Sequence, residues 1–244
     1  MAKKYLLDDI VRAVIAHMEK EWPVTLASWD ELQNDLESKL NQDTLDGKRA
    51  SYQVVENRFP EPVSSILFAQ ENEIATILPT AFYQLSITRL ACDWDTVRQH
   101  RNPPYVAEPS ARWALFDKDN LLRLFRGREQ LHAVFLEHLR SLQFYLKADP
   151  SRFCGDCDDQ GVMLESCTDG LIRLGRLLGG FVMTTMESEA WDNVDVLGVM
   201  NRLKEHTKEV DICFACACSY EGALDKARSD MWNRIPQFFD YPKP

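Results

Sequence analysis

The stretch "ICFACACS", Ile212 to Ser219, places three thiols, Cys213, Cys216 and Cys218, within six residues. Thiols this close have four chemistries open to them. They ligate a soft metal, pair as disulfides, attack an electrophile as thiolates, or fill a core as small apolar side chains. A second close pair, Cys154 and Cys157, stands in the segment "FCGDCDDQG". Each pair has two residues between its thiols, the spacing at which one tight turn offers two ligands to one ion. Two such pairs make the four-thiolate set of a tetrahedral structural zinc site, with sulfur about 2.3 Å from the metal. The expected ligands are therefore Cys154, Cys157, Cys213 and Cys216. Cys218 is an alternative to Cys216, because spacing alone does not decide which of the two points inward. Cys92 and Cys167 have no cysteine close by in sequence and read as core or surface thiols. His206, seven residues before Cys213, is a substitute ligand or a solvated helix-end histidine.

The surroundings pull in two directions. A helix starting near Cys216 or Cys218 turns its positive end toward the thiolates and favours them. Asp156, Asp158, Asp159 and Asp211 oppose further negative charge while raising the local attraction for a cation. The competing reading is reduced cysteine as a small hydrophobe near a core. A thioredoxin-like redox pair is disfavoured because such a motif follows a βαβ pattern, which the chain lacks. The opening "MAKKYLLDDIVRAVIAHMEKEW" is interrupted by Asp8, Asp9, Arg12 and His17, so it does not read as a signal peptide. A reducing compartment, cytoplasmic or nuclear, is the expectation, and there seven cysteines do not suggest a disulfide framework.

Composition narrows the functions further. The 244 residues are 45% hydrophobic and 27% charged, the balance of a globular protein. Net charge is -10 and the pI about 5.0, which repels phosphate backbones and anionic lipid. Nucleic acid is thus an improbable main partner, and no stretch reaches the roughly 18 apolar residues of a membrane span. HExxH, a phosphate loop and GxSxG are all absent. "GLIRLGRLLGG" has no strand before it and no Lys-Ser/Thr after it, so its glycines point to close helix packing. Arg123, Arg126 and Arg128 read as a solvated face.

The elements that must position the cysteines are helical. Leu7, Ile10, Val11, Val14, Ile15 and Met18 fall three and four apart, an apolar stripe closed by Trp22 and Pro23. It is expected to pack on a second helix through Trp29 and Leu32. That helix opens with Ser28 and Glu31 as a capping box and carries Trp29, Leu32, Leu36 and Leu40 on one face. A loop over 41–53, a third helix stopped by Pro79 and a fourth from Thr80 follow. The segment from Asp93 to Ala111, with Pro103, Pro104 and Pro109, separates an N-terminal region 1–92 from a C-terminal region 93–244. Asp117 and Asn120 open a long run that Gly127 is expected to break. Helices near Leu171–Met186 and Val194–His206 come next. The last has Leu224, Ala227, Met231 and Ile235 on one face and stops at Pro236. No sustained alternation, hairpin signature or repeat occurs. The fold class is all-α, an irregular array of seven to nine helices.

Several segments together resemble a known family. "YLLDDIVRAVIAHMEKEWPVTLASWD", "ILPTAFYQLS", "LFDKDNLLRLFRGREQL" and the ending "CFACACSYEGALDKARSDMWNRIPQFFDYP" are similar to the region after the BTB (POZ) domain in the expanded BTB-domain proteins of mushroom-forming fungi. The resemblance covers nearly the whole chain and implies a BACK-like helical region, then a C-terminal region holding cysteine pairs. It too puts the pairs at Cys154, Cys157, Cys213 and Cys216. The BTB domain itself is missing, so the dimerisation and ubiquitin-ligase docking typical of that domain are not carried over. The resulting expectation is a non-enzymatic protein–protein interaction module with a structural zinc site and a protein partner. The alternatives are a hydrolase-like enzyme whose site forms only in three dimensions, and a zinc-dependent transcription regulator, which the acidic charge disfavours.

Overall fold

A computed structural model of the chain describes residues 2–45, 61–99, 109–153, 165–187 and 193–241. Among them every extended regular element is helical, with nine α-helices and three 3₁₀ turns, so the all-α expectation holds. One isolated bridge joins Asp93 to Ala111. The contacts fall into two compact units, Met1–Gly127 with Ile235–Pro244, and Arg128–Arg234. The division expected near Asp93 lies inside the first of these.

In the first unit, α1 (Ala2–Glu21) ends where Trp22 and Pro23 were expected to close it. Pro23 disfavours helical backbone at the residue before it, and Trp22 is fully buried. The α1 stripe, however, does not pack away as expected. Ile10, Val11 and Val14 are 55, 37 and 39% exposed, while Trp29 and Leu32 are buried. Trp29 meets Tyr83 edge-on, ring centroids 5.2 Å apart.

Helix α2 (Leu26–Leu45) begins two residues before Ser28, the first residue of the expected Ser28–Glu31 box. Thr25 is its cap, accepting the Ser28 N–H at 3.1 Å on its hydroxyl. The helix also runs into the expected loop. The expected third helix is shorter than read. Helix α3 (Pro62–Glu71) is capped by Glu61, whose carboxylate accepts the Val63 and Ser64 N–H groups at 2.9 and 2.7 Å. It stops at Asn72, and Glu73 turns the chain at φ 57°. Pro79 then starts α4 (Leu78–Ser86) rather than stopping its predecessor, because a proline in the first turn lacks only an N–H that would have no helical partner. Inside the expected connection lies α5 (Trp94–Gln99), where Asp93 accepts the Thr96 N–H at 2.9 Å.

Asp117 opens α6 (Lys118–Ala148) as expected, taking the Asn120 N–H at 2.8 Å. Gly127 does not break it. A Cβ there would lie 2.1 Å from the ring of Phe239, so the missing side chain admits that ring against the helix. Arg123 is half-buried: it donates to the Tyr241 hydroxyl at 2.6 Å and lies over the ring. Arg128 is buried.

The second unit contains most of α6, then α7 (Glu165–Glu187), α8 (Val196–Arg202) and most of α9 (Phe214–Phe238). Leu171, Leu174, Leu178 and Val182 of α7 are buried at helical spacing, as are Tyr220, Leu224 and Met231 of α9. Gly175 and Gly179 press on Leu146 and Gln143 of α6, the close packing expected of this glycine-rich stretch. Pro236 lies within the last turn of α9 instead of ending it. Its φ is compatible with helix, and the buried rings of Phe238 and Phe239 hold the turn that follows.

Candidate metal centre

The cysteine site is built where two helix N-termini meet. Cys167 is the third residue of α7 and is buried. It continues the stripe of Leu171, Leu174 and Leu178 backward by one turn, so its thiol faces the core of the second unit. Cys213 immediately precedes α9, and its carbonyl accepts the Ala217 N–H at 3.0 Å to close the first turn. Cys216 continues the α9 stripe of Leu224 and Tyr220 backward and is fully buried, whereas Cys218 is exposed. The choice between Cys216 and Cys218 is thereby decided for Cys216.

The segment before α9 lies directly on α7. Gly170, three residues past Cys167, lets it do so: a Cβ there would stand 2.4 Å from Ile212 Cγ2 and 2.5 Å from the Asp211 carbonyl oxygen. With this approach the Cys213 N–H donates to Cys167 Sγ at 3.2 Å. The sulfurs of Cys167, Cys213 and Cys216 all lie within 4.8 Å of one another. Tetrahedral thiolates bonded at about 2.3 Å are roughly 3.8 Å apart, so a bound ion needs only a small inward movement of these side chains.

Electrostatics separate the thiols. N–H groups of the first turn of α9, that of Cys216 foremost, hold the Cys213 thiol below its usual range, partly opposed by burial. Burial pushes the Cys216 thiol up to about 12, helped by its hydrogen bond with Cys213 and by the charges of Cys167 and Cys213. Of these two thiols, Cys213 is therefore the one that ionises more readily. A bound metal ion reverses this balance by deprotonating its ligands outright.

Of the expected ligands, the structure brings Cys213 and Cys216 together. Cys154 and Cys157 lie outside the described residues. Cys167, read from sequence as an isolated core or surface thiol, is instead the third member of the cluster. The signal that finds it is its position four residues before Leu171, on the same helical stripe. His206 stays away, with Nδ1 3.0 Å from Glu209, and Cys92 is a buried thiol outside the cluster. Three close cysteines of the second unit could thus hold a metal ion. No family model, curated protein or solved structure matches this chain. No described helix is long and apolar enough to cross a membrane.

Proposed function

We infer that the chain is a non-enzymatic, helical protein–protein interaction module whose second unit is pinned by structural zinc. The observation that carries this reading is the convergence of Cys167, Cys213 and Cys216 from the starts of two helices 46 residues apart in sequence. A closed thiolate site between distant segments is the design of structural rather than catalytic zinc, which keeps an open position for water. Cys154 or Cys157 supplies the fourth thiolate in this proposal, in keeping with the cysteine pairs of the post-BTB region that the sequence resembles. The interaction role is supported by the outward apolar face of α1, Ile10, Val11 and Val14.

Two measurements test the proposal. Purified protein should carry one zinc per chain, and its loss on Cys167→Ser, Cys213→Ser and one of Cys154→Ser or Cys157→Ser identifies the ligands. Immobilised wild type and the double variant Ile10→Asp/Val14→Asp are then compared for capture from a lysate, with exposed Phe144→Asp as control. Loss of specific captured proteins with the α1 variant alone supports the interaction role. Zinc-free wild type, or the same proteins captured by all three chains, refutes the corresponding part.

A further inference from the structure

The second unit holds a cavity of about 490 Å³, well away in sequence from the cysteines' helix ends. Leu139, Leu142, Phe153, Met200 and Leu224 give it an apolar floor. Its volume falls within the range of small-molecule sites, which pair such a floor with a few placed polar groups. The polar groups here are unequal. Asp230 on α9 is occupied, within 3.1 Å of His138 Nε2 on α6 and 3.4 Å of the Arg234 guanidinium. The His138–Asp230 pair therefore ties α6 to α9 beside the cavity. Lys226, one turn before Asp230, also lines it and has no carboxylate partner among the described residues. The site thus offers apolar surface with an exposed ammonium group at its edge, while its one lining carboxylate is already shared by His138 and Arg234.

We propose that this cavity binds a small organic carboxylate with an apolar chain, its head group on Lys226 and its tail over Leu139, Leu142, Phe153, Met200 and Leu224. A long amine is the wrong charge for Lys226. An alcohol of equal length fills the floor but gains no ion pair. Chain length sets the apolar contribution, since each buried methylene tightens binding about fourfold. The site is independent of the cysteine cluster and of the interaction role proposed above.

The test uses the full chain and titration calorimetry with decanoate, dodecanoate, decanol and decylamine, all below their aggregation limits. Expected are one saturable site for decanoate, about 15-fold tighter binding of dodecanoate, weaker binding of decanol and none of decylamine. Lys226→Gln should weaken decanoate about fivefold and leave decanol unchanged, whereas Lys118→Gln changes neither. Ala223→Phe, which fills the lining from α9, should abolish both, with thermal melting confirming that it folds. The proposal is overturned if decanoate never saturates, if decanol binds as tightly, or if Lys226→Gln behaves like Lys118→Gln. It is equally overturned if Ala223→Phe dissociates a wild-type oligomer that binds no decanoate, since the groove then receives a second copy of the chain.

Discussion

Gly170→Ala tests the geometry of the metal centre without touching a thiol. Two effects compete. Alanine in place of glycine within a helix is worth about 1 kcal/mol in favour of the variant. Against it, the new Cβ would stand 2.5 Å from the Asp211 carbonyl oxygen and 2.4 Å from Ile212 Cγ2. Ordinary contact between such atoms needs about 3.5 Å, so the segment carrying Cys213 must retreat by roughly 1 Å. Backbone does not yield as a flexible side-chain end does, and overpacking of this kind costs about 1–3 kcal/mol. The net expectation is a loss near 1 kcal/mol, or about 2–4 °C in melting temperature for a chain of this size. Metal sites tolerate errors of only about 0.2 Å, so zinc affinity should fall at least about tenfold. Gly180→Ala, in the same helix, is the control: its Cβ meets nothing within 4 Å, and the variant should gain up to about 1 kcal/mol with unchanged zinc affinity. Thermal scans and competition with a chromogenic chelator read both quantities. If the two variants melt alike and hold zinc alike, the packing of 211–213 on α7 does not set the site.

Three further outcomes follow from the same contacts. Cys167→Ser should lower zinc content and melting temperature together and blunt the effect of a chelator. Cys218→Ser should leave both unchanged because its thiol is exposed, and metal analysis beside thermal melting checks the contrast. In metal-free protein the Cys216 thiol, pushed up to about 12 from the ordinary 9.0, stabilises the folded state below about pH 9; that contribution is lost as pH rises toward 12. Buried Tyr220, whose hydroxyl is also shifted upward, loses stability in alkali as well, so base-induced unfolding should be measured with and without Cys216→Ala, which should flatten the slope without removing it. Tyr241→Phe deletes a hydroxyl bonded to Gln70 at 2.8 Å and Arg123 at 2.6 Å and should cost about 1–2 kcal/mol in urea denaturation.

Periodicity made the helices legible and local capping made their ends less so. Leu224, Met231 and Ile235 of the α9 stripe are buried as read, because three- and four-residue spacing reports directly on which face turns inward. Prolines misled twice in the same way. Pro79 was read as a stop but opens α4, and Pro236 was read as a stop but sits inside the last turn of α9. A proline's local effect depends on which turn it occupies, and only neighbouring contacts decide that. Gly127 erred for a related reason: its lack of a side chain serves a ring more than a hundred residues later in the chain. The α1 stripe shows the reverse limit, since amphipathic spacing reveals an apolar face but not whether this chain covers it.

The same contrast explains the cysteines. Spacing in sequence found Cys213 and Cys216 because two ligands in one turn leave a local mark. Cys167 left none, since its partner segment is brought to it by the packing of Asp211–Cys213 on Gly170. Yet a helical register was readable in both cases: Cys167 and Cys216 each lie one turn before the first residues of a buried stripe. Both positions are in the first turn of a helix, where unpaired N–H groups present partial positive charge. In the proposed four-thiolate site a divalent ion would leave two net negative charges, which two helix N-termini would help to stabilise. Placing the proposed ligands at helix starts would therefore serve two ends, aiming the sulfurs inward through the stripe and compensating their charge through the backbone. By the same argument, Cys218 lies outside the cluster although it is only two residues from Cys216. Two residues along a helix rotate its side chain by roughly 200°, onto the opposite face and into solvent.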